Sequence, residues 1–141
     1  MPLVAHNALP TFERLRQDGI TVLTTDRAAH QQIRELHVGL LNMMPDAALE
    51  ATERQFFRLV GESNPIAQFY VHPFTLPNLP RGEKAQTHID QYYEGFETIR
   101  EAGLDALIIT GANVSHPNLA DEPFWQPLIE VIDWAWDNVT S

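Results

Sequence analysis

Three apolar runs alternate with three amphipathic stripes between residues 36 and 141. This alternation predicts an α/β protein built on a parallel sheet with helices on both faces. The runs end in turn-forming residues at Asn42–Pro45, Pro73 and Gly111, as strands feeding loops should. A hydrophobic fraction of 44% over 141 residues is enough for one packed core.

Residues 1–35 are less regular. Ile20 to Thr24 alternates and is β-branched, a short strand candidate, and the polar segment TTDRAAHQQIRE follows it. Residues 1–35 therefore read as an N-terminal arm lying on the body formed by residues 36–141, or on a partner subunit. In that body, Leu36 to Met43 (LHVGLLNM) reads as a buried parallel strand, stopped by Pro45. Asp46 is placed to N-cap a helix with the stripe Leu49, Glu53, Phe56 and Val60, widened by Phe57 and Leu59. Gly61 falls where a C-cap glycine belongs.

Ile66 to Val71 (IAQFYV) is the second strand, bounded by Pro65 and Pro73. His72 to Thr87 is loop chemistry, with Pro73, Pro77, Pro80 and Gly82. Thr87 to Asp90 has capping-box spacing, and Ile89, Tyr92 or Tyr93, Phe96 and Ile99 form a single stripe ending at Gly103. Leu104 to Thr110 is the third strand, running into Gly111-Ala112-Asn113. Asp121-Glu122-Pro123 predicts a helix start, and Trp125, Leu128 or Ile129, Ile132 and Trp136 its apolar face. Val139 to Ser141 turns extended again, as a further central strand would begin. The sequence reads as the first half of a larger α/β domain.

The net charge is −10, and it is unevenly placed. Residues 1–60 nearly balance, whereas the remainder sets Arg81, Lys84 and Arg100 against a large excess of acids. Nothing supplies the clustered Lys/Arg that displace counterions from nucleic acid, and an anionic membrane surface would repel the chain. No run approaches the ~18 apolar residues of a membrane span. The first ten residues, MPLVAHNALP, lack the basic and apolar regions of a secretory signal, so a cytoplasmic protein is expected. The sequence contains no cysteine, which removes disulfides, thiolate metal sites and a cysteine nucleophile from these residues.

In open α/β sheets, ligands bind beyond the carboxyl ends of the strands. Three segments occupy that edge: Asn42 to Asp46, His72 to Thr75, and Thr110 to His116. Asn42, Met43 and Met44 are candidates to face a substrate. In the Gly111-Ala112-Asn113 turn, a glycine after a buried strand either lets backbone N–H groups point at a developing oxyanion or merely serves the turn. The six histidines (6, 30, 37, 72, 88, 116) show no metal-ligand spacing, and His116 alone shares a candidate loop, so no metal site is expected. Asp121-Glu122 reads as a pair favoured by a helix dipole. No serine sits in a GxSxG elbow, so the residues supply a scaffold without a nucleophile.

Five blocks carry a family resemblance: TTDRAAHQQIR (Thr24 to Arg34), LLNMMP (Leu40 to Pro45), TERQFFRLVG (Thr52 to Gly61), FETIREAGLDALIITGA (Phe96 to Ala112) and FWQPLIEVIDWAWDNVTS (Phe124 to Ser141). In this order they resemble the N-terminal half of the homoserine O-succinyltransferase/O-acetyltransferase family of methionine biosynthesis. The resemblance implies a flavodoxin-like parallel sheet similar to class I glutamine amidotransferases. It implies acyl transfer from an acyl-CoA, as substrate and not cofactor, to the hydroxyl of an amino acid through a cysteine thioester, in a homodimer. The family's nucleophilic cysteine follows the block matching Val139 to Ser141, and its histidine and glutamate come later. No catalytic residue is therefore expected in these residues, and the chain alone is expected to be inactive.

By the same resemblance, the Gly111, Ala112 and Asn113 loop lies beside the nucleophile and helps hold the oxyanion. Ser115 aligns where transacetylases of the family tend to carry Glu and transsuccinylases Gly. A small uncharged serine leaves room for a succinyl carboxylate, which favours succinyl. Asp46-Ala47-Ala48 replaces lysines that succinyltransferases often place after Pro45, so a cationic contact to the donor must come from elsewhere. Homoserine O-acetyltransferase, serine O-succinyltransferase and a non-catalytic α/β binding module are the competing readings.

Overall fold

A computed structural model describes residues 3–30 and 34–141. Its centre is a five-stranded, all-parallel sheet in the order β2-β1-β4-β3-β5. The strands are β1 (Leu3–Ala5), β2 (Val22–Thr24), β3 (Glu35–Leu41), β4 (Gln68–Phe74) and β5 (Ala106–Ile109). The helices are α1 (Pro10–Gln17), α2 (Thr25–Ala29), α3 (Asp46–Glu62), α4 (Glu83–Tyr92), α5 (Phe96–Ala102) and α6 (Trp125–Asn138), with a 3-10 turn at Leu119–Asp121. This is the flavodoxin-like α/β class expected.

Alternation along the central strands sorts side chains onto two faces. Leu3, Leu40 and Val71 point to one side and pack with Leu9, Phe12 and Leu15 and with Phe57 of α3. Leu41 and Phe74 point to the other and meet Ile99 of α5 and Leu128 and Val131 of α6. β3 and β4 run in register from Glu35↔Gln68 to Leu41↔Phe74, so their carboxyl ends are level and release their loops side by side.

Several expectations change. The N-terminal segment supplies two strands of the same sheet instead of an arm laid on it. β2 falls within the Ile20 to Thr24 strand candidate, whereas the three residues of β1 alternate too briefly to register in sequence, yet Leu3 and Val4 are fully buried. Met1, Pro2 and residues 31–33 of the polar segment lie outside the described residues. Asp46 is not the N-cap of α3: Pro45 holds that position, and the Asp46 carboxylate turns to Gly82 and Arg81. Gly61 is not a C-cap but a buried position inside α3, where a Cβ would stand 3.2 Å from the Leu3 Cβ. It lets α3 approach β1. The α3 stripe centres on Leu49, Glu53, Phe57 and Gly61, and Leu59 faces solvent.

β4 continues through Pro73, whose carbonyl accepts from the Glu94 N–H instead of joining the β3 ladder, so its missing donor costs nothing there. The Ile89-to-Ile99 stripe is two helices, broken where Tyr93 turns extended, and α4 starts at Glu83, placing Thr87 mid-helix. Gly103 ends α5 at φ 82° and ψ 163°, a region nearly closed to other residues. In α6 the buried residues are Leu128 and Val131, while Ile132 and Trp136 face outward, Trp136 being 86% exposed. The extended segment after α6 does run beside β5, where the Ser141 carbonyl accepts from the Leu107 N–H at 2.9 Å.

Candidate functional site

Since β3, β4 and β5 are parallel, the segments leaving their carboxyl ends share one edge. These are residues 42–45, 75–82 and 110–116, and they enclose a cavity of about 240 Å³. Met43, Met44 and Pro45 form one wall, Asn78 to Arg81 a second, and Asn113, Val114 and Ser115 a third, with Glu122 to Phe124 behind. Four of the residues singled out from sequence, Met43, Met44, Asn113 and Ser115, thus line the same cavity. Thr110 fastens two walls: its hydroxyl accepts from the Met43 N–H at 2.8 Å, and its own N–H donates to the Leu41 carbonyl at 3.0 Å.

Asn42 is fully buried and belongs to the scaffold. Its Nδ2 donates to the Leu49 carbonyl (3.0 Å) and the Tyr93 hydroxyl (3.1 Å), and its Oδ1 accepts from the Met44 N–H (3.2 Å). Every polar atom of its side chain is engaged by protein. Burial, with the Glu53 carboxylate nearby, pushes the Tyr93 phenol far above its ordinary range, so it stays protonated. Gly111 sits on the exposed rim of the turn; its φ is not left-handed, and a Cβ there would meet nothing within 4 Å. The turn therefore does not require glycine for its own geometry. Ala112 packs against the core behind it.

Two anchors were not singled out from the sequence. Arg81 bridges the second wall to the first. Its Nη1 donates to the Met44 carbonyl (2.6 Å) and Asp46 Oδ1 (3.2 Å), and its Nη2 to Thr75 Oγ1 (3.2 Å) and, at 3.5 Å, the Asn42 carbonyl. The Gly82 N–H, with Arg81 beside it, holds the Asp46 carboxyl below the usual carboxylate range against a small burial cost. Glu122, read as a dipole-favoured acid, instead accepts from the N–H groups of Ser115 (2.6 Å) and His116 (2.8 Å) and fixes the third wall. Burial opposes its charge, but these amides outweigh it and lower its pKa. An isolated arginine in a proline-rich loop and an acid next to a proline give no periodic signal.

Away from the cavity lining, Glu53 is fully buried inside α3 and is paired with Thr11 and with His88, which also reaches Glu50. That network ties α1, α3 and α4 together behind Asn42.

An open parallel α/β domain with a cleft at the carboxyl edge of its strands is the architecture of a small-molecule enzyme domain or binding domain. A family model for homoserine O-succinyltransferase matches residues 2–141, and the chain belongs to that family. Over all 141 residues it is 86% identical to homoserine O-succinyltransferase of Thiobacillus denitrificans. Identity is 74% to that of Thioalkalivibrio nitratireducens and 71% to that of Allochromatium vinosum. The chain spans 40% of the length of each of these relatives.

Proposed function

We infer that this chain is the part of a homoserine O-succinyltransferase that builds the acyl-donor side of the active site. The single observation that carries the reading is the convergence of Met43, Met44 and Pro45 with Asn113, Val114 and Ser115 on one cavity at the carboxyl edge of the sheet. Met43, Met44, Leu79 and Phe124 offer apolar contact to the acyl chain. On this reading the Gly111, Ala112 and Asn113 turn, which follows β5 at the same edge, supplies backbone N–H groups to the oxyanion of a tetrahedral intermediate. Ser115 borders the acyl end without adding negative charge, which suits a succinyl carboxylate better than an acidic residue would. The guanidinium of Arg81 in the cavity wall is taken up by Asp46, Thr75 and the Met44 carbonyl, so a cationic contact to the donor comes from elsewhere in the complete enzyme.

The nucleophilic cysteine, with its histidine and glutamate, belongs to the portion of the family outside these 141 residues, and the chain alone is inactive on this reading. The Leu107–Ser141 hydrogen bond and the outward Ile132 and Trp136 support a further strand and its helix packing beside β5. The complete enzyme is a cytoplasmic homodimer taking acyl-CoA and homoserine as substrates, without a cofactor. Among the described residues, no helix is long and apolar enough to cross a membrane.

The test is a steady-state comparison on the full-length protein with succinyl-CoA or acetyl-CoA as donor and homoserine or serine as acceptor. Succinyl-CoA with homoserine should exceed every other pair in kcat/KM by at least about tenfold. Equal or better use of acetyl-CoA or serine overturns the substrate assignment, and no acyl transfer with any pair returns the domain to a binding role.

A further inference from the structure

We propose that His6, His72 and Glu94 form a binding site for one divalent transition-metal ion of the zinc or cobalt type, with His37 orienting the His72 ring. No spacing in the sequence announces it, because the ligands come from three distant segments: the end of β1, the middle of β4 and the link between α4 and α5. The parallel sheet brings them together. One ligand atom from each of the three lies within 4.8 Å of the others.

The surroundings favour a ligand over a self-contained hydrogen-bond network. His6 Nδ1 faces the Val4 carbonyl at 3.3 Å, so a proton placed there leaves Nε2 as a bare lone pair. That Nε2 is buried and has no partner. A buried acceptor without a donor is a cost that native structures rarely leave standing. The His6 and His72 ring centroids are 4.9 Å apart, and His72 Nδ1 stands 2.6 Å from Glu94 Oε2. The cluster opens into a groove of about 400 Å³ between the sheet and α5, lined by His37, His72 and Glu94, so an ion has a way in and a free coordination position.

The donor set is two imidazoles and one carboxylate, which suits zinc, cobalt or nickel better than calcium or magnesium. Ligand atoms on a tetrahedral ion with bonds of about 2.1 Å stand about 3.4 Å apart, so His72 Nδ1 and Glu94 Oε2 open from 2.6 Å while His6 draws in, both within the reach of side-chain rotation. With the metal on His72 Nδ1, that ring carries its proton on Nε2, from which it is donated to His37 Nδ1 at 2.8 Å. His37 Nε2 in turn lies 3.5 Å from Glu35 Oε2. Such an outer chain is what fixes the tautomer and orientation of a ligating histidine. His37 is held in place by stacking on Tyr70, ring centroids 4.9 Å apart. Burial lowers the pKa of His6, while Glu94 is lowered because its contacts with His72 outweigh the cost of burial. A neutral imidazole and an ionised carboxylate are the forms a metal takes up.

The test uses the full-length protein, stripped with a chelator and titrated with cobalt(II) in the visible, then with zinc against a chromophoric competitor. The wild type should give d–d absorption saturating at one ion per chain, which zinc abolishes. His6→Gln, whose ring already has an unpartnered nitrogen, and Glu94→Gln should each weaken binding by more than ~100-fold, and His37→Phe, which keeps the stacking surface, by ~10-fold. His30→Gln, outside the cluster, should bind as the wild type. Far-UV circular dichroism confirms that each variant is folded. Absence of saturable binding in the wild type overturns the proposal, and so does binding that survives both His6→Gln and Glu94→Gln.

Discussion

Arg81→Met separates the cavity wall from its anchor while keeping the aliphatic stem. The guanidinium makes three hydrogen bonds of good length, to the Met44 carbonyl, Asp46 and Thr75, and a fourth at 3.5 Å that contributes little. Hydrogen bonds involving a charged group contribute about 1.5–3 kcal/mol each, and bonds sharing one side chain do not add in full. Against them stands the Arg81 Nε, buried without a partner, whose removal returns about 1 kcal/mol. Asp46 is 40% exposed, so the ion pair itself is screened and adds at most about 1 kcal/mol. The net loss is about 3 kcal/mol, or roughly 10 °C in Tm for a chain of this size. Urea unfolding followed by tryptophan fluorescence on the wild type, Arg81→Met, Asp46→Asn and the double variant measures both the total and the coupling. A loss under about 1 kcal/mol, or a loss of the same size in Asp46→Asn alone, would refute the idea that the guanidinium holds the two loops through their carbonyls.

Three further outcomes follow from the same contacts. Because the folded-state pKa of Asp46 is depressed, its contribution is present above the unfolded value and lost as pH falls through the folded one. Asp46→Asn should therefore flatten the loss of stability below about pH 4, read from urea midpoints at successive pH values. Glu122→Ala removes the acceptor for the Ser115 and His116 amides; hydrogen exchange at those two positions should accelerate while that of β3 is unchanged. Gly103→Ala meets no atom within 4 Å, yet φ 82° with ψ 163° should cost about 1–3 kcal/mol in chemical denaturation, and a neutral result would mean the α5 end relaxes freely.

The sequence made the strands β3 and β5 legible because each is a dense apolar run ending in turn residues, and the level ends of the strands then put the candidate loops on one edge. α3 was legible as a helix, but its ends were not. Asp46 and Gly61 have the residue types of caps, and tertiary contacts with Arg81, Gly82 and Leu3 claimed them instead. β1 was hidden by its length, although Leu9, Phe12 and Leu15 at intervals of three were a signal for the helix after it. Met43, Met44 and Asn113 were identifiable from their place after a strand, and Ser115 from the family resemblance. Arg81 and Glu122 were not, because each works through backbone groups that only the folded loops bring within reach. The His6, His72 and Glu94 cluster is of the same kind: its members are far apart in sequence, and only the folded chain joins them.

The claim that the 42–45 and 111–115 loops hold the acyl group is tested most directly by Ser115→Glu in the full-length protein, assayed with both acyl-CoA donors. A second carboxylate about 4 Å from the succinyl carboxylate costs between about 1 and 4 kcal/mol, depending on how dry the cavity is. KM for succinyl-CoA should rise by roughly tenfold or more, with acetyl-CoA kinetics nearly unchanged. Unchanged kinetics with succinyl-CoA would contradict the account, because the acyl group would then lie away from this cavity.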